Sequence, residues 1–297
     1  MNEVRPLAIV ALGGNALSPP DKPHDAEAME AVVAAAANAL APIAETHDLI
    51  VTHGNGPQIG ALAEAAPASP LDVLGAQSEG LLGYVIEQAL TNRMPDRTTL
   101  SMVTRVVVAA DDPAFAQPTK PIGPVLHGDP EALSAEHGWP VIADRGGYRR
   151  VVASPHPMEV VEAEEIGFLA RSGAIVVSVG GGGVPVTRDE KGQMHGVDGV
   201  IDKDLASAVL ALQVRADVLL LLSDVAGVYA DWPTCEDLMR TPSIDALKAL
   251  DLAIGTMAPK VAAAVGFVEA GGAMAGIGHL NDAARILAGD AGTVIRA

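Results

Sequence analysis

A short apolar run that ends in glycines and leads into a helical pattern recurs at least four times along this chain. Clear examples of the run are residues 7–12, 49–52 and 174–179. Runs of this length are typical of strands that are buried on both faces. Strands that alternate with helices in this way predict an α/β fold, with an open, mainly parallel sheet and helices on both faces. Ligands of such sheets bind beyond the carboxyl ends of the strands, which is where the glycines fall.

Composition indicates the kind of core and argues against several classes of partner. The 297 residues are 49% hydrophobic and only 3% aromatic, which favours a large aliphatic core. The net charge of −18 argues against nucleic-acid binding. The single cysteine, Cys235, cannot form an intramolecular disulfide, which fits a reducing compartment. Because we find neither a signal-peptide pattern nor an apolar run of membrane-spanning length, we expect a cytoplasmic protein with no membrane partner.

Residues 112–157 interrupt the alternating pattern. They are rich in proline and glycine, but they also contain strand-like apolar segments at residues 140–143 and 149–153. A disordered linker would lack such segments, so this stretch predicts an inserted subdomain, called here the lid. On either side of the lid, the pattern predicts one strand over residues 99–109 and one helix over residues 158–171.

Four glycine-rich turns follow predicted strands and are candidates for binding a polyanion. Glycine lets backbone N–H groups approach an anion closely, and a following helix N-terminus adds a favourable dipole. One such turn is weak evidence, because tight turns use glycine anyway, but several at strand ends favour an anionic ligand. There is no Gly-Lys dipeptide, which excludes a Walker A loop, and the first turn lacks the dinucleotide-binding G-x-G-x-x-G pattern. In chain order, the first to fourth glycine turns are Gly13-Gly14-Asn15, Gly54-Asn55-Gly56, Gly180 to Gly183, and residues 255–260.

Lysine is scarce, and its placement is informative. Only six of the nineteen basic residues are lysines. Lys203 and Lys260 each fall in the first turn of a predicted helix, where a cation opposes the helix dipole at a cost of about 0.3–1 kcal/mol. A bound phosphate would reverse that sign, and Asp204 is a candidate for holding both lysines in position. The alternatives at this point are a local ion pair for Lys203 and a solvated surface lysine for Lys260.

No other constellation of catalytic groups stands out. His53 precedes the second glycine turn, where a hydrogen-bonded turn residue is more common than a catalyst. The remaining histidines lack metal-ligand spacing, so no protein-bound metal site is predicted. A serine elbow, a Cys-His pairing and a pair of catalytic carboxylates are also missing from the sequence.

Taken together, the motifs resemble those of carbamate kinases in the amino acid kinase family. Two of them separate carbamate kinases from relatives such as acetylglutamate and uridylate kinases: Pro-Thr-Lys-Pro-Ile-Gly at 118–123 and Ile-Asp-Lys-Asp-Leu-Ala at 201–206. The matches run in family order over nearly the whole chain. The other matching stretches are residues 11–17, 52–58, 112–115, 149–155, 180–186, 223–225 and 257–261.

The resemblance implies an open sheet of eight mainly parallel strands sandwiched by helices, with the lid protruding from a single domain over residues 1–297. Residues 1–200 would form mainly the carbamate side and residues 201–297 mainly the nucleotide side. The implied protein is a homodimer that transfers a phosphoryl group reversibly between ATP and carbamate, with Mg²⁺, giving ADP and carbamoyl phosphate. It would serve ATP synthesis in the breakdown of arginine, purines or allantoin.

The resemblance also implies roles for individual residues. Lys203 and Lys260 would contact the transferred phosphoryl group, Lys120 would reach in from the lid, and Asp204 would position lysines. Mg²⁺ would be held mainly by the nucleotide phosphates, without a protein ligand. The carbamate and phosphate groups would be bound by Gly13, Gly14, Asn15, Gly54, Asn55, Gly180, Gly181, Gly182 and Gly183. The nucleotide would be flanked by Asp224, Val225, Tyr229, Met257 and Lys260.

This chemistry is consistent with the residues, because carbamate is already an anionic oxygen nucleophile and needs no general base. Positioning and charge neutralisation are what remain for the protein. Two alternatives stay open at this stage. One is a kinase of the same fold for another small acid or phosphate, and the other is a non-catalytic sensor of nucleotide or carbamoyl phosphate. The presence of all three motif lysines counts against the sensor.

Overall fold

The computed structural model describes residues 5–14, 17, 26–144, 146–231, 234, 236–252 and 257–297. Asn15, Cys235 and residues 255–256 of the fourth glycine turn lie outside these described residues. Of the helices that the structure describes, none is both long and apolar enough to cross a membrane.

Strands and helices alternate over much of the described chain, as the sequence predicts. The strands are β1 (Leu7–Leu12), β2 (Asp48–His53), β3 (Thr99–Ser101), β4 (Arg105–Val108), β5 (Lys120–Leu126), β6 (Val141–Asp144), β7 (Gly147–Val152), β8 (Pro157–Val160), β9 (Ile175–Val177), β10 (Val184–Arg188), β11 (Met194–Gly196), β12 (Val218–Ser223), β13 (Met274–His279) and β14 (Thr293–Arg296). The α-helices are α1 (Ala26–Thr46), α2 (Gly56–Ala65), α3 (Leu71–Arg93), α4 (Pro130–His137), α5 (Ala163–Arg171), α6 (Lys203–Gln213), α7 (Ile244–Lys248), α8 (Met257–Glu269) and α9 (Ala283–Ala288).

The main sheet has the strand order β14-β13-β12-β1-β2-β9-β3 within the described residues. Its neighbouring strands are parallel, except for the antiparallel pair β13 and β14. All six residues of the central strand β1 are buried. Leu7, Ile9 and Ala11 pack into one core with residues of α5, α6 and α8, and the alternate residues of β1 pack into a second core with residues of α1 and α9. Burial on both faces explains why the strand is a continuous apolar run.

The main sheet has seven strands in the part of the chain that is described, not the eight that the resemblance implies. The predicted strand over residues 99–109 is in fact two strands, β3 in the main sheet and β4 in a second sheet of order β11-β10-β4-β8. The break falls at Thr104. Its N–H (3.2 Å) and its hydroxyl (2.5 Å) both donate to the carboxyl group of Glu79 on α3, which takes this peptide out of strand pairing.

The predicted helix over residues 158–171 is also corrected. The segment begins as strand β8, and only its second part forms helix α5. β8 pairs antiparallel with β4, and the N–H of Val160 donates to the side-chain oxygen of Gln213 on α6 (2.8 Å). Pairing with distant parts of the chain therefore overrides the helical pattern.

The lid contains α4 and an antiparallel sheet of order β5-β7-β6. Its strand β5 lies against α2, the helix that begins at the end of the second glycine turn. A Cβ built on Gly60 of α2 would lie 2.2 Å from the backbone nitrogen and Cα of Gly123 on β5. Ile122 and Val152 of the lid pack into one small core with Ile59 of α2. The lid is thus docked on α2 by a backbone contact that has no room for a side chain.

Candidate active site

The first and second glycine turns meet at the carboxyl ends of β1 and β2. The N–H of Gly13 donates to the carbonyl of Leu222 on β12 (2.9 Å), and the N–H of Gly54 donates to the carbonyl of the last residue of β1 (3.0 Å). A Cβ on Gly54 would lie 3.1 Å from the backbone nitrogen of Gly14 and 3.3 Å from the side chain of Lys203. A larger residue at this position would crowd both the first glycine turn and a predicted catalytic lysine.

Asn55 links the second glycine turn to the third. It is buried at the start of α2, and its Nδ2 donates to Oγ of Ser78 on α3 (2.8 Å). A Cβ on Gly181 would lie 2.1 Å from that Nδ2, so a side chain is excluded there. Gly181, Gly182 and Gly183 have φ values of 67°, 94° and 82°, which glycine adopts without strain. The first three glycine turns therefore come together at one edge of the sheet.

Lys203, Asp204 and Lys260 form a buried group beside these turns, called here the lysine cluster. Nζ of Lys203 donates to Oδ1 of Asp204 (2.5 Å), and Nζ of Lys260 donates to Oδ2 of the same carboxylate (2.8 Å). The three residues are only 8%, 3% and 4% exposed, in that order. Lys260 is therefore not a solvated surface lysine, and Asp204 holds both lysines.

The charges of the lysine cluster are unevenly balanced. Burial acts to raise the pKa of Asp204, but the attraction of Lys203 and Lys260 outweighs it and holds that pKa far below its usual range. Burial lowers the pKa of Lys203 to about 8, against the attraction of Asp204. Burial also acts to lower the pKa of Lys260, yet the attraction of Asp204 raises it overall. One carboxylate faces two ammonium groups, so the cluster favours an additional anion.

Lys120 brings a third lysine to the same region from the lid. It is the first residue of β5, and its Nζ donates to Oδ2 of Asp202 (2.6 Å). The other oxygen of Asp202 caps α6 by accepting from the N–H of Asp204 (2.9 Å). Burial acts to raise the pKa of Asp202, but Lys120 lowers it overall. Three lysines against two aspartates leave one net positive charge here, in a chain whose net charge is −18.

The four remaining residues predicted to flank the nucleotide lie after β12 and at the start of α8, and they are Asp224, Val225, Tyr229 and Met257. Asp224 is exposed and accepts a hydrogen bond from Ser223 (2.9 Å). Burial acts to lower the pKa of Lys260, and the charges of Asp204, Asp202 and, to a smaller extent, Asp224 act to raise it. This side of the site is therefore within electrostatic reach of the lysine cluster.

Glu79 and Thr104 support the third glycine turn, and neither is among the residues that the sequence predicts. Oε1 of Glu79 accepts from the N–H of Gly180 (2.7 Å) and from the hydroxyl of Thr104 (2.5 Å). The Thr104 hydroxyl oxygen accepts from the N–H of Val179 (2.7 Å). Burial raises the pKa of Glu79 to about 8. Helical periodicity could have identified Glu79, because it lies on the buried stripe of α3 formed by Leu71, Leu74, Gly75, Ser78 and Leu82.

His53 is the buried last residue of β2, and it forms a hydrogen bond to the second glycine turn, as the sequence predicts. Its Nδ1 lies 3.1 Å from the carbonyl oxygen of Gly54, which can only accept, so Nδ1 carries the hydrogen. Burial lowers the pKa of His53 to about 4, which leaves the ring neutral at pH 7. A Cβ on Gly180 would lie 2.4 Å from Nε2 of His53, so the ring helps to confine the third glycine turn. Over the described ranges, no group of three or more His, Cys, Asp or Glu residues is arranged to hold a metal ion.

Comparisons with known proteins show similarity over nearly the whole chain. Residues 6–277 match the model of the amino acid kinase family. A carbamate kinase from Escherichia coli O6:H1 is 45% identical over 298 residues, which cover 97% of this chain and 98% of the relative. The structure of carbamate kinase from Giardia lamblia bound to citric acid matches with a TM-score of 0.91 and 35% identity over 98% of both chains. The same enzyme bound to AMP-PNP matches with a TM-score of 0.87, again at 35% identity over 98% of both chains.

The fold, the order of the motifs and the extent of these similarities lead to one assignment. The sequence similarity spans nearly the full length of the chain and of its relatives. The chain belongs to the amino acid kinase family, among its carbamate kinases.

Proposed function

We propose that this chain transfers a phosphoryl group reversibly between ATP and carbamate, giving ADP and carbamoyl phosphate. One observation carries the proposal. Two buried lysines share the single carboxylate of Asp204 next to three glycine turns, so positive charge is in excess where a phosphoryl group would lie. The near-full-length similarity to carbamate kinases supports carbamate as the acceptor.

The reaction needs positioning and charge neutralisation rather than a base. A carbamate oxygen attacks the γ-phosphorus of ATP while the bond from that phosphorus to the β–γ bridging oxygen breaks, and ADP leaves. Carbamate is anionic, so no proton has to be removed, which agrees with a neutral His53 that takes no part in proton transfer. Lys203 and Lys260 would neutralise charge on the transferred phosphoryl oxygens, and Asp204 would keep both ammonium groups in position.

The glycine turns would bind the acceptor. The absence of side chains would leave room for carbamate and phosphoryl oxygens at Gly13, Gly14, Gly54 and Gly180 to Gly183, with Asn15 and Asn55 as polar contacts. Lys120 would exchange its bond to Asp202 for one to the transferred phosphoryl group. The 2.6 Å contact with Asp202 supports this role, because Asp202 directly precedes Lys203 and caps the same helix.

The nucleotide would lie on the C-terminal side, flanked by Asp224, Val225, Tyr229 and Met257, with Lys260 at its phosphates. The AMP-PNP bound to the Giardia lamblia relative supports an adenine nucleotide. Mg²⁺ would arrive on the nucleotide phosphates and add positive charge there. Lysines already engage the carboxylates of Asp202 and Asp204, so neither fits as a ligand and we name no protein ligand for the ion.

We extend the proposal to assembly and cellular role. The enzyme would be a cytoplasmic homodimer that works toward ATP synthesis in the breakdown of arginine, purines or allantoin. Each protomer would be one domain, with residues 1–200 mainly on the carbamate side and residues 201–297 mainly on the nucleotide side. The single cysteine fits a reducing compartment. Light scattering tests the dimer, because the protomer mass is 30.3 kDa and a solution mass of one protomer would contradict it.

The proposed activity is tested by incubating the protein with ADP, Mg²⁺ and carbamoyl phosphate and following ATP. We expect ATP above the non-enzymatic background, and about 100-fold less turnover for Lys260→Ala. Lys248→Ala is the matched control, because Lys248 is exposed and pairs with Glu269 (2.6 Å) away from the site. No ATP from the wild-type protein would overturn the proposed activity. Equal turnover of Lys260→Ala and Lys248→Ala would overturn the role of the lysine cluster.

A further inference from the structure

Glu79 is a buried ionisable group that the mechanism above does not use. It is 2% exposed and lies in the middle of α3, on the face that packs into the protein. A carboxyl group at such a position is unfavourable unless its oxygens are satisfied by hydrogen bonds. Its hydrogen-bond partners among the described residues are donors from two other segments, Thr104 and Gly180, the first residue of the third glycine turn.

These contacts hold the entrance to the third glycine turn in an unusual backbone shape. Val179 directly precedes the glycines and has a φ of 53°, which is rare for a β-branched residue. Such a conformation persists only where the surroundings enforce it. Here the N–H of Val179 donates to the Thr104 hydroxyl, and the next N–H, that of Gly180, donates to Glu79. Two successive peptide groups are thus fixed by one side-chain pair.

One oxygen of Glu79, Oε1, makes the closest contacts to both Thr104 and Gly180. Oε1 accepts both short bonds, from the Thr104 hydroxyl (2.5 Å) and from the N–H of Gly180 (2.7 Å). Oε2 accepts only the longer bond from the Thr104 N–H (3.2 Å). The His53 ring also confines Gly180, since a Cβ there would lie 2.4 Å from Nε2 of His53 and 2.8 Å from Cγ of Glu79. The contacts that shape the turn therefore require an oxygen acceptor at the Oε1 position.

We propose that Glu79 is a positioning residue for the acceptor substrate, which acts through Thr104 and the Gly180 peptide to hold the third glycine turn in its binding shape. This inference rests on the proposed function, because it assigns that turn to carbamate and carbamoyl phosphate. The effect is specific for the acceptor. The nucleotide side lies after β12 and at the start of α8, and within the described part of the chain the hydrogen bonds of Glu79 go to Thr104 and Gly180 instead.

Two pairs of variants test the inference in the ATP-forming assay, with KM measured separately for carbamoyl phosphate and for ADP. Glu79→Gln keeps an oxygen acceptor and Glu79→Leu does not. Thr104→Ser keeps the hydroxyl and Thr104→Val does not. We expect Glu79→Leu and Thr104→Val to lose about 100-fold in kcat/KM for carbamoyl phosphate with KM for ADP unchanged. Glu79→Gln and Thr104→Ser should retain most of the activity.

Thr293→Val is the matched control for the loss of one buried hydrogen bond. Thr293 is fully buried, and its hydroxyl accepts from the N–H of Val228 (2.8 Å), as that of Thr104 accepts from Val179. Equal kinetic losses in Thr104→Val and Thr293→Val would overturn the inference, as would a parallel rise in KM for ADP. If Glu79→Leu does not fold, the Thr104 pair decides. Wild-type activity tests the proposed function separately, and calorimetric titration with carbamoyl phosphate alone compares the variants without turnover.

Discussion

Replacing Asp204 with asparagine keeps the shape of the side chain but removes the charge that two buried lysines share. Each N–O contact, at 2.5 Å to Lys203 and 2.8 Å to Lys260, corresponds to about 6 kcal/mol of Coulomb attraction at an effective dielectric constant of 20. Desolvation offsets much of that attraction. Breaking a buried ion pair by removing one partner nevertheless costs about 3–5 kcal/mol, because the remaining charge is left unpaired.

The lowered pKa of Lys203 limits the loss of unfolding free energy in the Asp204→Asn variant. The pKa of Lys203 is already lowered to about 8, so giving up its proton at pH 7 costs only about 1.4 kcal/mol. We therefore expect the variant to lose about 3–5 kcal/mol of unfolding free energy, with Lys203 neutral in the folded protein. Turnover should fall with it, because a neutral amine no longer neutralises the phosphoryl group.

Urea denaturation followed by circular dichroism measures the change in stability, and the ATP-forming assay measures the change in activity. Asp282→Asn is the control, because Asp282 pairs with Arg285 at the surface (2.8 Å) and such pairs contribute about 0–1 kcal/mol. The pKa of Asp204 is depressed in the folded state, so its contribution is present above the unfolded value of 3.8 and is lost as the pH falls below it. Equal stabilities of the two variants at pH 7 would refute the ion-pair argument.

Three further outcomes are expected. Lys120→Met should lower kcat about 100-fold with an unchanged KM for ADP, because this lysine reaches the site from the lid. An unchanged kcat would show that the lid takes no part in the reaction. Gly60→Ala should push β5 away from α2 and lower kcat about tenfold. Gly80→Ala on α3 is the control, because its Cβ would meet no atom within 4 Å and kcat should stay unchanged. Equal values of kcat in the two variants would contradict the docking contact. The value of kcat/KM for carbamoyl phosphate should decline as the pH rises through about 8, because Lys203 loses its charge there. Glu79→Gln removes the other group with a pKa of about 8 and should keep that decline, and its absence would point to Glu79 instead.

Local patterns predict the elements of this fold well where burial is uniform. β1 is a continuous apolar run because both of its faces are covered by helices, and just beyond it a Cβ on Gly13 would lie only 3.1 Å from the carbonyl oxygen of Leu222 on β12. Local patterns fail where contacts with distant parts of the chain decide the structure. The segment over residues 158–171 has a helical pattern, but its first part pairs with β4 and becomes a strand.

The candidate active site likewise has some features that local sequence patterns predict and others that they do not. The sequence predicts the helix-start positions of Lys203 and Lys260 and offers Asp204 as a candidate for holding both. The contact itself joins residues 56 positions apart, so local patterns cannot establish it. The pairing of Lys120 with Asp202 spans 82 positions and is equally invisible to local patterns. In the sequence, only the resemblance brings Lys120 to the same site as Lys203 and Lys260. Glu79 carries no motif, and only the burial of its helix face distinguishes it from a surface acid.

The location of the positive charge also determines how substrates arrive. ADP and carbamoyl phosphate are anions, and a chain with a net charge of −18 repels them at long range. The attraction of Lys120 and the lysine cluster extends only about one Debye length, roughly 8 Å at physiological ionic strength. Added salt screens the distant repulsion more than the attraction inside a buried site. The acidic surface therefore slows diffusional encounter rather than chemistry, and capture of substrate becomes faster as ionic strength rises.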